Sequence, residues 1–299
     1  MKPKRIVEAV PNFSEGRRHE VIKAIVDAYN SVPGARVINF SSDPDHNRTV
    51  VTIVGEPDAV SEALFRGIAK AAELIDMDVQ EGEHPRIGAT DVAPFVPIKH
   101  VTMEEAVQLA RDLAQRVSEE LGIPVYLYAR AATRPDREVL SRIRKGEYEG
   151  LKADLEAGKK ERFPDFGPPR LGKAGATVIG ARPPLIAYNI YLTTDDVSVA
   201  KKIAKAVRHS SGGLRYVQAM GLLVECKAQV SMNLLDYTKT PVFRVTELVR
   251  REAARYGVGI QSAELVGLIP QQALIDAAQW YLQLDNLTPE GILEYHLEG

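Results

Sequence analysis

The order of apolar patterns along this chain is its strongest constraint. A strand-like run over residues 5–10 precedes helical spacing over 17–30, with Val21, Ile25 and Ala28 on one face. Strand-like runs follow at 36–40 and 48–54. Helical spacing returns over 58–75 through Val60, Leu64, Ile68, Ala71 and Ile75, and an apolar run over 92–98 closes the series. This β-α-β-β-α-β order is that of the split βαβ, ferredoxin-like arrangement. It recurs in the second half: strand 184–192, helix 195–209, strands 215–225 and 228–235, helix 241–256, strand 258–266, then a trailing helix at 270–284. The repeat is one of pattern, not of residues. Between the halves, Thr102 and Glu105 predict a capping box for a helix reaching 121. A strand at 124–128 and short, solvated helices over 132–162 come next. The expectation is an α+β protein of two ferredoxin-like (βαββαβ) subdomains with αβ extensions, spanning 1–180 and 181–299, with a ligand cleft between them.

Composition excludes several classes. The chain has 299 residues, 45% of them hydrophobic, which suffices for a large core, and a net charge of −2 gives no general attraction to nucleic acid or to an anionic membrane. Aromatic residues make up 6%, too few for the stacking platform of an RNA-binding sheet. Cys226 is the single cysteine, so no intrachain disulfide forms. The basic N-terminus leads into a strand-like run and not an apolar signal sequence, and no apolar run is long enough to span a membrane.

Chemistry concentrates in Gly82-Glu83-His84-Pro85-Arg86-Ile87-Gly88-Ala89-Thr90-Asp91. Pro85 pushes His84 out of helical conformation, and the prolines within 92–98 read as a strand or edge strand entered from this loop. On the residues alone two readings of His84 stand open: a proton-transfer group near neutral pH, or a loop histidine bonded to a backbone carbonyl. A second polar loop, Ser41 to Asn47, also precedes a strand, and Ser14 is placed to cap the first helix. Asp43, Asp45, His46, Glu83, His84 and Asp91 include metal-ligand types, but their spacing fits no template, and no metal is expected. Arg48, Arg86 and Arg182 stand beside turns, where a guanidinium can grip a carboxylate. The Gly- and Pro-rich stretch 163–177 is either a linker or a loop that lets a ligand approach the backbone, and it lacks both nucleotide-loop glycine patterns.

Several motifs together carry a family resemblance. Val10-Pro11-Asn12-Phe13-Ser14-Glu15-Gly16, Asn47-Arg48-Thr49-Val50, the His84 stretch, Arg144-Lys145-Gly146-Glu147-Tyr148-Glu149 and Pro164-Asp165-Phe166-Gly167-Pro168 resemble the formiminotransferase domain. In the second half Ser231-Met232-Asn233-Leu234-Leu235-Asp236 and Glu264-Leu265-Val266-Gly267 fit it too, so the resemblance spans nearly the whole chain. It implies transfer of a formimino group between 5-formimidoyl-tetrahydrofolate and L-glutamate, in histidine degradation. The alternatives are formyl transfer from 5-formyl-tetrahydrofolate, or folate binding without catalysis. The family's catalytic histidine falls on His84. Its folate-binding loop falls on Gly167-Pro168-Pro169-Arg170-Leu171-Gly172-Lys173-Ala174-Gly175, where Ala174 replaces an aromatic residue of animal relatives. Ser41 stands where those relatives carry an acid, so Asp43 becomes the acid expected to orient the histidine. Tetrahydrofolate would be a cosubstrate, and a cytoplasmic homodimer without the cyclodeaminase domain of bifunctional relatives is implied.

The chemistry suits those residues. The attacking amine must shed protons and the departing folate nitrogen must gain one, and an imidazole can do both in turn. Asp43, Arg48, Arg86 and Arg182 are candidate substrate contacts, because both glutamate and the folate tail carry carboxylates. A pure scaffold would have no use for so many polar residues around His84.

Overall fold

The computed structural model describes residues 4–297, and the chain divides after Arg182 into two compact units. The first opens with β1 (Ile6–Ala9) and β2 (Asn12–Phe13), one strand interrupted at Val10-Pro11. Then come α1 (His19–Asn30), β3 (Ala35–Asp43), β4 (Arg48–Gly55), α2 (Pro57–Leu74) and β5 (Thr90–Lys99), the element order read from the apolar pattern. Antiparallel pairing joins β3 to β4, β4 to β1 and β2, and both of these to β5.

The extension is larger than the sequence pattern suggested. After α3 (Met103–Leu121), β6 (Val125–Ala129), α4 (Leu140–Ile143) and α5 (Glu147–Glu156), the chain returns as β7 (Thr177–Ala181). This strand falls at the end of the stretch read as linker or loop. It inserts between β5 and β6, parallel to both, and completes a seven-stranded sheet among the described residues. All five residues of β7 are buried. One face packs under α1, α2 and α3, with Val125, Leu127, Ile179 and Ala181 in that core. The opposite face meets α5 through Val92, Tyr126, Val178, Leu151 and Leu155. Burial on both faces removes the apolar–polar alternation that marks most strands, which is why β7 is hard to read from sequence.

β5 is central, not an edge strand, despite Pro94 and Pro97. Val10 N donates to the Pro94 carbonyl at 3.4 Å, at the break between β1 and β2 where the ladder is already interrupted. Pro97 lies past Phe95, whose register partner Ala181 ends β7. Each proline therefore falls where a partner strand offers little to an N–H.

The capping box forms as expected: Thr102 accepts from Glu105 N, and the Glu105 carboxylate accepts from Thr102 N. Ser14 does not cap α1. Its hydroxyl donates to the Gly88 carbonyl at 2.8 Å, and the neighbouring Glu15 carboxylate accepts from Arg17 N and Arg18 N, each at 2.9 Å, ahead of the helix.

The second unit holds β8 (Ile186–Leu192), α6 (Val197–Val207), β9 (Val217–Val224), β10 (Lys227–Leu234), α7 (Val242–Ala254), β11 (Ile260–Val266) and α8 (Gln271–Leu282). Its four strands run antiparallel in the order β11-β8-β10-β9. Ile186, Ile190 and Leu192 of β8 pack with Val199 and Ile203 of α6 and Val245 and Val249 of α7. Cys226 is exposed in the β9–β10 turn. No helix among the described residues is long and apolar enough to cross a membrane.

Candidate functional site

Four stretches of the first unit converge at one end of its sheet. They are residues 14–16 before α1, the β3–β4 turn at 43–47, the loop between α2 and β5, and the segment entering β7. Asn47 is the tie among the first three. Its side-chain carbonyl accepts from Gly16 N at 2.9 Å and its amide donates to the Glu81 carbonyl at 2.7 Å. Asn47 is buried at φ 48°, a backbone conformation asparagine tolerates better than most residues. Glu83 N then donates to the Asp45 carbonyl at 3.2 Å. The absent side chain of Gly82 permits this closeness, since a Cβ there would lie 2.5 Å from the His46 carbonyl oxygen.

This stitching sets His46 beside His84, with ring centroids 6.2 Å apart and planes inclined by 63°. Phe13, Ser14, His46, Asn47, Arg48, Gln80, His84, Arg86 and Asp91 line one small pocket. His84 is half-buried and lies outside any helix. Burial, then the nearby charges of Arg48 and Arg144, push its pKa down to about 2. The Pro85 backbone acts weakly the other way.

The other sequence candidates separate by their partners. Asp43 does not stand alone against His84: its carboxylate lies 2.7 Å from His46 Nδ1 and also accepts from Asp45 N and His46 N, each at 2.9 Å. Partial burial raises its pKa, but the bonds and charge of His46 outweigh this and hold it below the usual carboxylate range. Arg48 is at the pocket and donates to the Asn12 side-chain carbonyl. Arg86 is buried and saturated. It donates to Gln80 Oε1 and the Gln80 carbonyl, to Glu147, and twice to Glu149, over 2.7–3.0 Å. Those bonds use all five guanidinium donors, so Arg86 ties α5 to the His84 loop and has none left for a substrate. Arg182 follows β7, with its backbone N–H on the Phe95 carbonyl at 3.0 Å and its charge acting on Glu8 and Tyr128. It is not among the residues gathered at His84.

The glycine-rich loop is zipped to the His84 loop. Ala89 N donates to the Ala174 carbonyl at 2.8 Å, and Ala176 N to the Ile87 carbonyl at 2.9 Å. Gly175, at φ 67°, would place a Cβ 2.3 Å from the Ile87 carbonyl oxygen, so its lack of a side chain serves the protein's own backbone contact. Gly167, Pro169, Arg170, Gly172 and Lys173 are exposed. Among the described residues no group of three or more His, Cys, Asp or Glu side chains is arranged to hold a metal ion.

Sequence reasoning gave no role to Arg144. It donates to Asp91 Oδ2, while Asp91 Oδ1 accepts from Ile87 N at 2.9 Å. The signal was the motif 144–149 itself, whose Arg144, Glu147 and Glu149 all reach the His84 region.

Comparison with known proteins agrees with this arrangement. Residues 6–182 match the model of the formiminotransferase domain, N-terminal subdomain, and residues 187–293 match that of the formiminotransferase domain. The chain is 53% identical over 298 residues to a glutamate formimidoyltransferase of Thermoplasma acidophilum, covering 98% of this chain and 97% of that one. It is 45% identical to a glutamate formimidoyltransferase of Streptococcus pyogenes serotype M1, covering 99% of each. It is 46% identical to the formimidoyltransferase-cyclodeaminase of Gallus gallus, covering 95% of this chain and 53% of that protein. With both of its units matched in order, this chain belongs to the formiminotransferase family.

Proposed function

We propose that this protein moves a formimino group between 5-formimidoyl-tetrahydrofolate and L-glutamate, with His84 as general acid and base, as a step of histidine degradation. The observation that carries this reading is a half-buried imidazole kept neutral between two guanidiniums, in a pocket formed by converging loops. Neutral imidazole is the form that can accept a proton.

In the direction of glutamate formimidoylation, the amine nitrogen forms a bond to the formimino carbon as the carbon–nitrogen π pair moves onto the imino nitrogen, giving a tetrahedral carbon bound to the amine nitrogen, the imino nitrogen and N5. His84 takes the proton that the amine loses. The same proton passes to N5 of the folate, the bond from carbon to N5 breaks with its electron pair left on N5, and the pair on the imino nitrogen restores the double bond. Proton transfer by one positioned side chain contributes about 10²–10⁴-fold, so holding both substrates together supplies much of the remainder.

Tetrahydrofolate enters as a cosubstrate, and the loop 167–175 is the segment we assign to it. Exposure of Arg170 and Lys173 and the backbone zipper to the His84 loop support that assignment. Arg48 is the pocket arginine with donors to offer a substrate carboxylate. Arg182 is assigned, with Arg48, to a substrate carboxylate. A homodimer in the cytoplasm completes the reading. Steady-state assays with tetrahydrofolate and N-formimidoyl-L-glutamate, run beside N-formyl-L-glutamate, test it. Turnover of the formimino substrate supports the reading, and turnover of the formyl substrate alone replaces it with formyl transfer.

A further inference from the structure

We propose that Arg48 and Arg144 form one carboxylate subsite beside His84, occupied by the amino-acid substrate. The identity of that occupant rests on the transfer reaction proposed above; the subsite rests on the following geometry.

Arg48 and Arg86 line the pocket, Arg144 pairs with the pocket residue Asp91, and the hydrogen bonding of the three guanidiniums differs. Arg86 has all five donors on protein acceptors. Arg48 and Arg144 do not: the Nε of each is enclosed and has no acceptor. Arg48 reaches Asn12 through Nη2, and Arg144, with a side chain only 14% exposed, reaches Asp91 through Nη2. Enclosed donors without partners are uncommon in native proteins and mark places where a further acceptor belongs.

Charge leads to the same conclusion. Burial and then the repulsion of Arg144 bring the Arg48 pKa down to about 10, against the attraction of Asp91 and Asp43. Asp91 is already held by Arg144 and Ile87 N, and Asp43 is turned to His46. Two cations thus share essentially one carboxylate, and a second carboxylate would balance them. The planar fork of arginine suits a carboxylate in two-point contact.

Filling the subsite would also change His84. The groups acting on its ring are Arg48 on β4, Arg144 after α4 and His46 in the β3–β4 turn, with Asp91 on β5 and Asp43 on β3 behind them. Arg86 in its own loop is neutralised by Glu147 and Glu149. An incoming carboxylate cancels charge that now opposes protonation of His84, so the base strengthens only when the amino acid is bound. By linkage, protonation of His84 tightens carboxylate binding to the same degree.

The test uses the intact protein with ¹⁵N-labelled histidine, His84 being assigned through His84→Asn. Saturating L-glutamate should raise the His84 titration midpoint by about one unit or more. In Arg144→Gln, L-glutamate affinity should fall about 10- to 100-fold while 5-formyl-tetrahydrofolate affinity changes little. Arg144→Gln leaves Asp91 buried and unpaired, so Arg144→Gln/Asp91→Asn and the charge-conserving Arg144→Lys are measured beside it. The double variant should show the same loss, and Arg144→Lys an intermediate one. Unchanged L-glutamate affinity in folded Arg144 variants, or a His84 titration that ignores L-glutamate, overturns the subsite. These readouts need no turnover. Binding that depends on Arg144 without any transfer would retain the subsite and defeat the proposed reaction; transfer with an unchanged KM for the glutamate substrate in Arg144→Gln would do the reverse.

Discussion

The Asp43 carboxylate and His46 Nδ1 lie 2.7 Å apart, and the His46 ring in turn stands edge-on to His84 at 6.2 Å. Asp43 is thus separated from His84 by a second imidazole. If Asp43 works by holding His46, Asp43→Asn and His46→Asn should each slow transfer to a similar extent, roughly tenfold, short of the 10²–10⁴ of direct proton transfer. The double variant should be no slower than either single one, because the two residues act as one unit. Steady-state rates of the three variants check this; additive losses would separate the two residues.

Asn47 holds the loops that place the two imidazoles. Asn47→Ala removes an acceptor for Gly16 N and a donor for the Glu81 carbonyl in a buried position. Each backbone group left without a partner costs about 1–3 kcal/mol. Urea denaturation should show a stability loss in that range, accompanied by a lower kcat.

Arg86→Met should act mainly on stability. It removes five hydrogen bonds that tie Gln80, Glu147 and Glu149 together. Because both glutamates are substantially exposed, water takes over part of their solvation, and a loss of about 2–3 kcal/mol is expected. Equilibrium denaturation measures it. A variant as stable as the parent, with only its substrate KM raised, would return Arg86 to the role of carboxylate clamp.

His84 also makes the fold acid-sensitive. Its pKa is about 2 in the folded state against about 6.5 in an unfolded chain. Below the unfolded value the unfolded state binds a proton that the folded state does not, so this residue's contribution to stability falls as pH drops from about 6.5 toward the folded value. His84→Gln should lose stability more gently than wild type between about pH 6.5 and 4, by up to one proton in the slope. Denaturation series at stepped pH in saturating salt-matched buffers check the difference, which disappears if His84 titrates normally.

The elements that alternate apolar and polar residues, or carry a clean helical stripe, were legible in the sequence. Strands β1, β3, β4 and β8 to β11 and the longer helices belong to this group, as does the capping box at Thr102; β5 showed as an apolar run, whereas β2 lies in a stretch that reads as a polar loop. β7 was not, because a strand buried on both faces has no alternation, and its glycine-rich approach reads as a linker. The His84 loop was legible because its residue types are crowded in sequence. Arg144 was not, since its partner Asp91 is 53 residues away and only the fold brings them together. The same limit applied to Arg86 and Asp43: residue type suggested charge recognition, whereas the partners that decide their roles come from α5 and the β3–β4 turn.

The most direct measurement is formimino transfer from N-formimidoyl-L-glutamate to tetrahydrofolate, followed in wild type and in His84→Asn confirmed to be folded and to bind folate. The account predicts turnover in wild type and a loss of about 10²–10⁴-fold in kcat for the variant. Full formimino transfer by His84→Asn would contradict it, because the proton would then be carried without His84.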